Sequence, residues 1–417
     1  MEKVILVSAA LKTDKTQNQT LDELERLAQT AGAETAAVYS VRVEAYHPAT
    51  LIGSGKLQEI AAACESEEAD AVIFDDEITP AQQKNLEKIL PAKVLDRTRL
   101  ILDIFAQRAR TQEGKLQVEL AQLNYLLPRL SGQGTAMMQQ KGGIGMRGPG
   151  ERKLEYDRRR LRLRIARLEQ EIEQVKKERA LRRQRRSSVP LPQIALIGYT
   201  NAGKSTLLNA LTGQNAVYAD DKLFATLDPT TRRVPMGKGG QMLFTDTVGF
   251  IQKLPHSLVS AFRATLEETK FADVLLHVHD AASAQREEQS RTVRQILTEL
   301  KTARIPVIDV MNKTDLLSSP RLRALRTQYP QAVFISAQNK KGIKELLAEV
   351  EKALKNKWKV RRLSLLPQQA ALLGKIYKQC LVLNCQTTPQ GGLCLSVMAT
   401  EGNWRDLKQK VTSFLGK

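Results

Sequence analysis

The stretch Gln193-Ile194-Ala195-Leu196-Ile197-Gly198-Tyr199-Thr200-Asn201-Ala202-Gly203-Lys204-Ser205 limits the possible fold more than any other part of the chain. Its apolar run from Ile194 to Ile197 reads as a buried strand and stops in the spacing G-x-x-x-x-G-K-S. Glycines at 198 and 203 let the backbone fold around an anion, so that successive N–H groups and the start of the next helix point at it. This is the pattern of a phosphate-binding loop. Lys204 is placed to reach β- and γ-phosphates, the Ser205 hydroxyl to ligate Mg²⁺, and Thr206 to Thr212 reads as the following helix.

The residues downstream continue that pattern. An Asp- and Thr-rich stretch, Tyr218 to Arg232, reads as a mobile loop containing Phe224-Ala225-Thr226-Leu227-Asp228. The strand Met242 to Thr245 ends at Asp246-Thr247-Val248-Gly249. Asp246 stands where a second Mg²⁺ contact is needed, and Gly249 offers an N–H to the γ-phosphate. A third strand, Val274 to Val278, leads to Asp280, with His277 and His279 on one face as packing residues. Val307 to Met311 runs into Asn312-Lys313-Thr314-Asp315. A carboxylate there accepts from guanine N1–H and the exocyclic amine, donors that adenine lacks, which selects GTP. Val333-Phe334-Ile335 leads into Ser336-Ala337-Gln338, whose backbone can meet guanine O6. Each motif falls at the C-terminal end of a strand, which places a guanine-nucleotide site on the rim of a mostly parallel sheet.

With 417 residues and 42% hydrophobic content, the chain is expected to hold several domains with real cores. Residues 1–110 alternate strand-like runs (Val4 to Ser8, Ala36 to Val43, Ala71 to Phe74, Lys93 to Leu95) with helical patterns such as Leu21 to Ala31 and Pro80 to Leu90, which argues a small parallel α/β domain. Gly53-Ser54-Gly55-Lys56 resembles a second phosphate loop, but Thr50 and Leu57 break the pattern, so it reads as a turn opening a helix. Residues 111–187 change period. Leu116, Leu120, Leu123, Leu127 and Leu130, then Leu161, Ile165, Leu168, Ile172 and Val175, form two apolar seams of an antiparallel helical hairpin. The pair is short and is expected to pack on a neighbouring domain. Its joining loop, Ser131 to Gly150, is rich in glycine and short of apolar anchors, so it orders on a partner rather than alone. Lys141, Arg147, Arg152, Lys153, Arg158, Arg159 and Arg160 crowd that tip, and Arg182, Arg183, Arg185 and Arg186 the other end. Ser187 to Pro192 is a linker into the nucleotide domain, 188–356, and residues 357–417 read as a small appended α+β domain without a catalytic pattern.

The formal net charge of +19 makes a polyanion, nucleic acid or an anionic membrane face, the natural partner. No apolar run approaches a membrane span and the N-terminus lacks a signal-peptide pattern, so a cytoplasmic location is expected. Cys64, Cys380, Cys385 and Cys394 show no CxxC pair and are read as small buried hydrophobes.

With those residues in view the chain resembles HflX-type GTPases, in the translation-associated branch that includes Obg and Era relatives. The likeness rests on Ile52 to Lys56, Gly142-Gly143-Ile144-Gly145, Arg147-Gly148-Pro149-Gly150-Glu151, Gly198 to Ser205, Phe224 to Asp228, and Ala261 to Glu268. Met146 and Arg152 stand where the family pattern has threonines, and Ala136 to Gln140 reads as extra. The resemblance implies a Mg²⁺-dependent GTPase that binds the large ribosomal subunit and its rRNA and, in GTP form, splits 70S ribosomes, with GTP hydrolysis to GDP as the release step. The alternative is a GTP-gated binding module for large-subunit assembly or hibernation. It implies a monomer off the ribosome. It also makes Thr226 the mobile-loop threonine on Mg²⁺, while spacing alone leaves Thr230 and Thr231 open. Lys204, Thr226 and Gly249 are then the catalytic candidates, and Ser205, Thr226 and Asp246 the metal ligands. In Ras-like enzymes a glutamine after Asp-x-x-Gly orients the attacking water; Phe250 holds that position here, so slow intrinsic hydrolysis is expected. Asn201 matches the position at which related GTPases hold K⁺.

Overall fold

Alternating strand and helix in residues 1–110 produces an all-parallel sheet, because each helix carries the chain back to the same end before the next strand starts. The computed structural model describes residues 1–13, 17–130, 149–186, 191–213, 223–237, 239–253, 269–300, 302 and 304–415. Lys141, Arg147, the tip-loop motifs and Ala261 to Glu268 lie outside the described residues, as do the side chains of Arg152, Lys153 and the arginines at 182–186. The chain divides into two compact units, one of Met1–Val175, Asp220–Leu227 and Gln252–Phe262, the other of Lys176–Ala219, Asp228–Ile251 and Arg263–Lys417.

In the first unit β1 (Glu2–Leu11), α1 (Gln17–Ala31), β2 (Ala33–Val43), α2 (Ser54–Ser66), β3 (Ala71–Phe74), α3 (Pro80–Leu86), β4 (Lys93–Asp96) and α4 (Arg97–Arg108) follow one another. Among the described residues the strands form a four-stranded sheet of order β2-β1-β3-β4, parallel throughout. Ile5, Val7, Val72, Phe74 and Val94 from the strands pack with Leu57, Ile60 and Leu86 from the helices. Gly53 is the N-cap of α2, so Gly53 to Lys56 does open a helix. The α3 helix starts at a capping box between Thr79 and Gln82 with Pro80 in its first turn. It ends at Leu86 rather than Leu90; Pro91 disfavours helical backbone at Leu90, which stays buried in the core as a loop residue.

Asp96 ends β4 and caps α4 through the Arg99 N–H at 2.8 Å. The guanidinium of Arg97, fully buried, donates to Asp75 at 2.6 Å and to Glu23 at 2.5 Å. Lys253 donates to the other Asp75 oxygen and to Asp76, both at 2.7 Å. Phe224, also buried, meets Phe105 edge-on at 4.6 Å between ring centroids, and the Leu223 N–H donates to Thr30 Oγ1 at 3.2 Å.

The helical hairpin forms as its leucine spacing requires. α5 (Gln112–Arg129), capped by Thr111, and α6 (Pro149–Arg186) share a cluster of Leu116, Leu120 and Leu123 with Leu168, Ile172 and Val175. Arg164 clasps Glu119 at 2.7 and 2.9 Å beside it. Leu127, Leu130, Leu161 and Ile165 are half-buried and outside that cluster. The expected packing on the neighbouring domain is made by α5, whose Tyr125 and Arg129 donate to Asp96 at 2.9 and 3.1 Å.

The second unit continues with β5 (Gln193–Gly198), α7 (Lys204–Thr212), β6 (Thr230–Pro235), β7 (Gln241–Asp246), β8 (Val274–Asp280), α8 (Arg286–Glu299), β9 (Val307–Asn312), α9 (Ser319–Gln328), β10 (Val333–Phe334) and α10 (Ile343–Leu354). Among the described residues these strands form a six-stranded sheet, β10-β9-β8-β5-β7-β6, parallel except for β6. Ile194, Leu196, Leu276 and Val310 form the centre of its core with Leu207 and Leu346. β11 (Trp358–Leu365), α11 (Leu373–Gln379), β12 (Leu381–Thr387), β13 (Leu393–Thr400) and α12 (Glu401–Leu415) complete the chain, with an antiparallel sheet of order β11-β13-β12. Asp273, next to β8, accepts from the Gln193 N–H at 2.9 Å, from the Trp358 indole at 3.0 Å and from Lys357 at 2.5 Å.

The protein is therefore multidomain α/β, with a mostly parallel sheet in its nucleotide-binding part and a small α+β domain at its C-terminal end. Among the described residues no helix is long and apolar enough to cross a membrane. All four cysteines are free. Cys64 and Cys380 are buried as expected, whereas Cys394 is only half-buried and Cys385 is exposed, because it lies on the edge strand β12 beyond its buried start.

Candidate functional site

The phosphate loop takes its shape from where its side chains cannot go. Gly203 has φ +88°, and a Cβ there would come 2.3 Å from Asn312 Nδ2. Asn201 also takes left-handed backbone, at φ 57°, which asparagine tolerates better than most residues. Lys204 begins α7 with its side chain buried, Nζ donating to the carbonyls of Gly198 at 3.1 Å and Tyr199 at 2.8 Å. Burial pushes its pKa down to about 8, against the opposing pull of the Asp246 charge.

Register brings the second motif to the same rim. Leu196 on β5 faces Asp246 on β7, and Ser205 Oγ donates to Asp246 Oδ2 at 2.7 Å. The Thr247 hydroxyl donates to Leu196 O at 2.6 Å, so its side chain fixes the turn. Phe250 extends that turn along the phosphate loop: its N–H donates to Gly198 O at 3.1 Å and its carbonyl accepts the Thr200 N–H at 2.8 Å. The Phe250 ring is buried. Gly249 is held so close that a Cβ would lie 2.8 Å from Thr200 Cα and 3.0 Å from Lys204 Nζ. The Thr200 hydroxyl is buried and without a hydrogen-bond partner among the described residues. Hydroxyl and carboxylate oxygens from Ser205 and Asp246 are the hard donor set that Mg²⁺ takes, so these residues fit that ion.

At the other end Asn312 joins three loops. Its amide donates to Ala202 O at 2.9 Å and its oxygen accepts the Ala337 N–H at 3.0 Å. The Ala337 N–H, expected among the groups free to meet guanine O6, thus braces the asparagine in this arrangement. Lys313, at φ 61°, pairs with Asp280 at 2.9 Å. Thr314 is tied to Ile335 O through N–H and hydroxyl, at 3.2 and 2.9 Å. Asp315 is exposed and accepts from the Ser336 hydroxyl.

The structure therefore gathers Gly198 to Thr206, Asp246 to Gly249, Asn312 to Asp315 and Ser336 to Gln338 at the C-terminal ends of β5, β7, β9 and β10 in the second unit. Phe224, Ala225, Thr226 and Leu227 belong to the first unit, and Asp228 to the second. Thr230 and Thr231 open β6 opposite Asp246 and Thr245, and the Thr231 hydroxyl is 2.9 Å from that of Thr245, so both alternatives to Thr226 are built into the ladder. On α6, Arg159 and Arg160 are exposed and Arg158 is half-buried. His277 and His279 are buried, but they are not simple packing side chains, since both face Asp309 on β9. An H-x-H pair in a strand puts both rings on one face, and that spacing was the signal for it. The contacts of Asn312, and of Lys253 with Asp75 and Asp76, had no sequence signal, because their partners lie far away along the chain.

Comparison with known proteins agrees with this geometry. Residues 18–106 match a family described as GTP-binding GTPase N-terminal, 108–186 one described as GTP-binding GTPase Middle Region, and 193–313 one described as 50S ribosome-binding GTPase. The chain is 50% identical over 353 residues to the GTPase HflX of Caldanaerobacter subterraneus subsp. tengcongensis, covering 85% of this chain and 81% of that one. It is 44% identical over 408 residues to the GTPase HflX of Escherichia coli (strain K12), covering 97% and 95%. It is 47% identical over 356 residues to that of Alkalihalophilus pseudofirmus, covering 85% and 83%. Similarity of this extent, on a chain whose loops join phosphate-binding and guanine-reading motifs on one rim, shows that the protein belongs to the HflX family of GTPases.

Proposed function

We propose that this GTPase binds the large ribosomal subunit and, in its GTP form, splits 70S ribosomes, with hydrolysis releasing it. The observation that carries the reading is the match of residues 193–313 to the 50S ribosome-binding GTPase family, joined to HflX relatives that align along most of the chain. The charge supports it. Arg159, Arg160, Arg162 and Arg167 are exposed along α6, and the sequence just before them adds Lys141, Arg147, Arg152 and Lys153. If the arm meets about six phosphates, log affinity for RNA falls with log salt at a slope of roughly four or more.

At the nucleotide, Lys204 would meet the β- and γ-phosphates and the Gly249 N–H the γ-phosphate. Ser205, Thr226 and Asp246 would hold Mg²⁺, which when bound neutralises charge on the transferring phosphoryl group. Asn201 would hold K⁺ against the phosphates, and exchange of K⁺ for Na⁺ at constant ionic strength would then slow turnover. The buried Phe250 ring cannot hydrogen-bond an attacking water, so hydrolysis is slow until the ribosome supplies or orders that group. The reading places the protein in the cytoplasm, monomeric off the ribosome.

Sucrose-gradient sedimentation of 70S ribosomes with protein and a non-hydrolysable GTP analogue tests it. Conversion to free subunits is expected. Intact 70S with protein bound to free large subunits would instead assign a GTP-gated assembly or hibernation factor.

A further inference from the structure

Away from the nucleotide rim, β8 and β9 hold a cluster that the GTPase reaction does not use. His277 and His279 are two residues apart on β8, so their rings share a face, with centroids 3.8 Å apart. On the parallel neighbour, Asp309 sits in register opposite His277. Asp309 Oδ1 lies 2.9 Å from His279 Nε2 and 3.3 Å from His277 Nδ1. The His277 nitrogen is buried and has no well-aligned hydrogen-bond partner among the described residues. These three ligand atoms all lie within 4.8 Å of one another.

From this geometry we infer a binding site for a borderline divalent transition-metal ion of the zinc class, with His277, His279 and Asp309 as ligands. Metal–nitrogen and metal–oxygen bonds of about 2.0–2.2 Å in a tetrahedron separate the ligand atoms by about 3.3 Å, close to the two distances from Asp309 to the imidazole nitrogens. Two imidazoles and one carboxylate suit Zn²⁺, Co²⁺ or Ni²⁺, whereas Mg²⁺ and Ca²⁺ take all-oxygen sets. A cavity of about 230 Å³, lined by Arg286, Glu287, Arg291 and Tyr329, reaches His279 and Asp309 from the side of solvent. Arg294 lies 3.3 Å from the other oxygen, Asp309 Oδ2, where it orients the carboxylate and leaves Oδ1 to the rings. Its positive charge opposes a second cation only weakly, because its side chain is 65% exposed and screened by water. A metal held there ties β8 to β9 just before the two strands end at Asp280 and Asn312.

The test is a Co²⁺ titration of full-length, tag-free, nucleotide-free protein, stripped with a chelator and kept in excess Mg²⁺. Saturable ligand-field absorption of a four-coordinate N/O site is expected for the wild type, as is a melting temperature that rises with Zn²⁺ and falls on chelation. His279→Ala and Asp309→Asn should abolish the band, and Arg294→Ala should keep it with affinity weakened roughly 10- to 100-fold. Absence of the band in wild type, or an unchanged band in both ligand variants, overturns the site. If His279→Ala does not fold, Asp309→Asn and the chelator-dependent melting of the wild type decide the question.

Discussion

Asn312 donates its side-chain amide to the carbonyl of Ala202 at 2.9 Å, binding the guanine-reading motif to the phosphate loop. The same side chain accepts from Ala337 and closes against Gly203, so one residue sets the spacing between base and phosphate sites. Asn312→Ala strands two buried backbone groups, at about 1–3 kcal/mol each. GDP and GTP affinity should both fall, roughly 10- to 100-fold, while guanine preference persists through Asp315. Titration with fluorescent guanine and adenine nucleotides reads both quantities.

Asp315 is expected to exchange base specificity when its charge is removed. In Asp315→Asn the carboxylate that accepts two guanine donors becomes an amide with a donor of its own, which matches xanthine. GTP affinity should drop on the order of a hundredfold or more and affinity for xanthosine triphosphate should rise. Competition binding with the two nucleotides gives the ratio.

Gly249 allows no side chain. A methyl group would press on Thr200 and on the Lys204 ammonium, so Gly249→Ala should spare GDP and disturb the triphosphate state. Single-turnover hydrolysis with large subunits present should slow on the order of a hundredfold, with GDP affinity within about twofold of wild type.

Lys204 gives the nucleotide site a pH dependence of definite sign. Burial lowers its pKa to about 8 in the nucleotide-free protein, below the usual lysine value of 10.5. The triphosphate needs the ammonium form, so affinity should be flat below about pH 8 and decline about tenfold per unit above it. Stability of the nucleotide-free protein runs the other way. Between those two values the unfolded chain binds the extra proton, so this group's penalty on folding shrinks as pH rises. Affinity measured across this range for wild type and Lys204→Met should show the decline only in the wild type.

Arg97 is the expected weak point of the first unit. With Asp75 fully buried, Arg97→Ala removes the buried partner of its carboxylate and leaves the partly exposed Lys253 to offset that charge, at about 3–5 kcal/mol. Lys253→Ala, at a side chain 39% exposed, should cost only about 0–1 kcal/mol. Urea unfolding followed by circular dichroism compares them.

The nucleotide rim was legible in the sequence because each of its parts is local: a strand, a turn and a few residues whose spacing the phosphate or base dictates. The same holds for the hairpin, whose period is visible in Leu116, Leu120 and Leu123. What spacing could not show was who meets whom. Asp309 becomes a partner of His277 only through the β8–β9 register, and Asp75 joins Arg97 and Lys253 across 22 and 178 residues of chain. The end of α3 is written locally too, since Pro91 marks it, yet the helical pattern runs on to Leu90 while the helix stops at Leu86. The exposure of Cys385 has no signal in the sequence, because burial on an edge strand depends on what covers it.

Asp273 bears on how the protein can be dissected. Its carboxylate is shared by the first residue of β5 and by Lys357 and Trp358, and the indole is itself part of the core beneath the six-stranded sheet. A catalytic fragment cut at residue 356 would therefore lose a piece of its own interior along with the tail. Weak turnover from such a fragment would report a damaged enzyme, and a fair comparison requires a truncation that keeps Lys357 and Trp358.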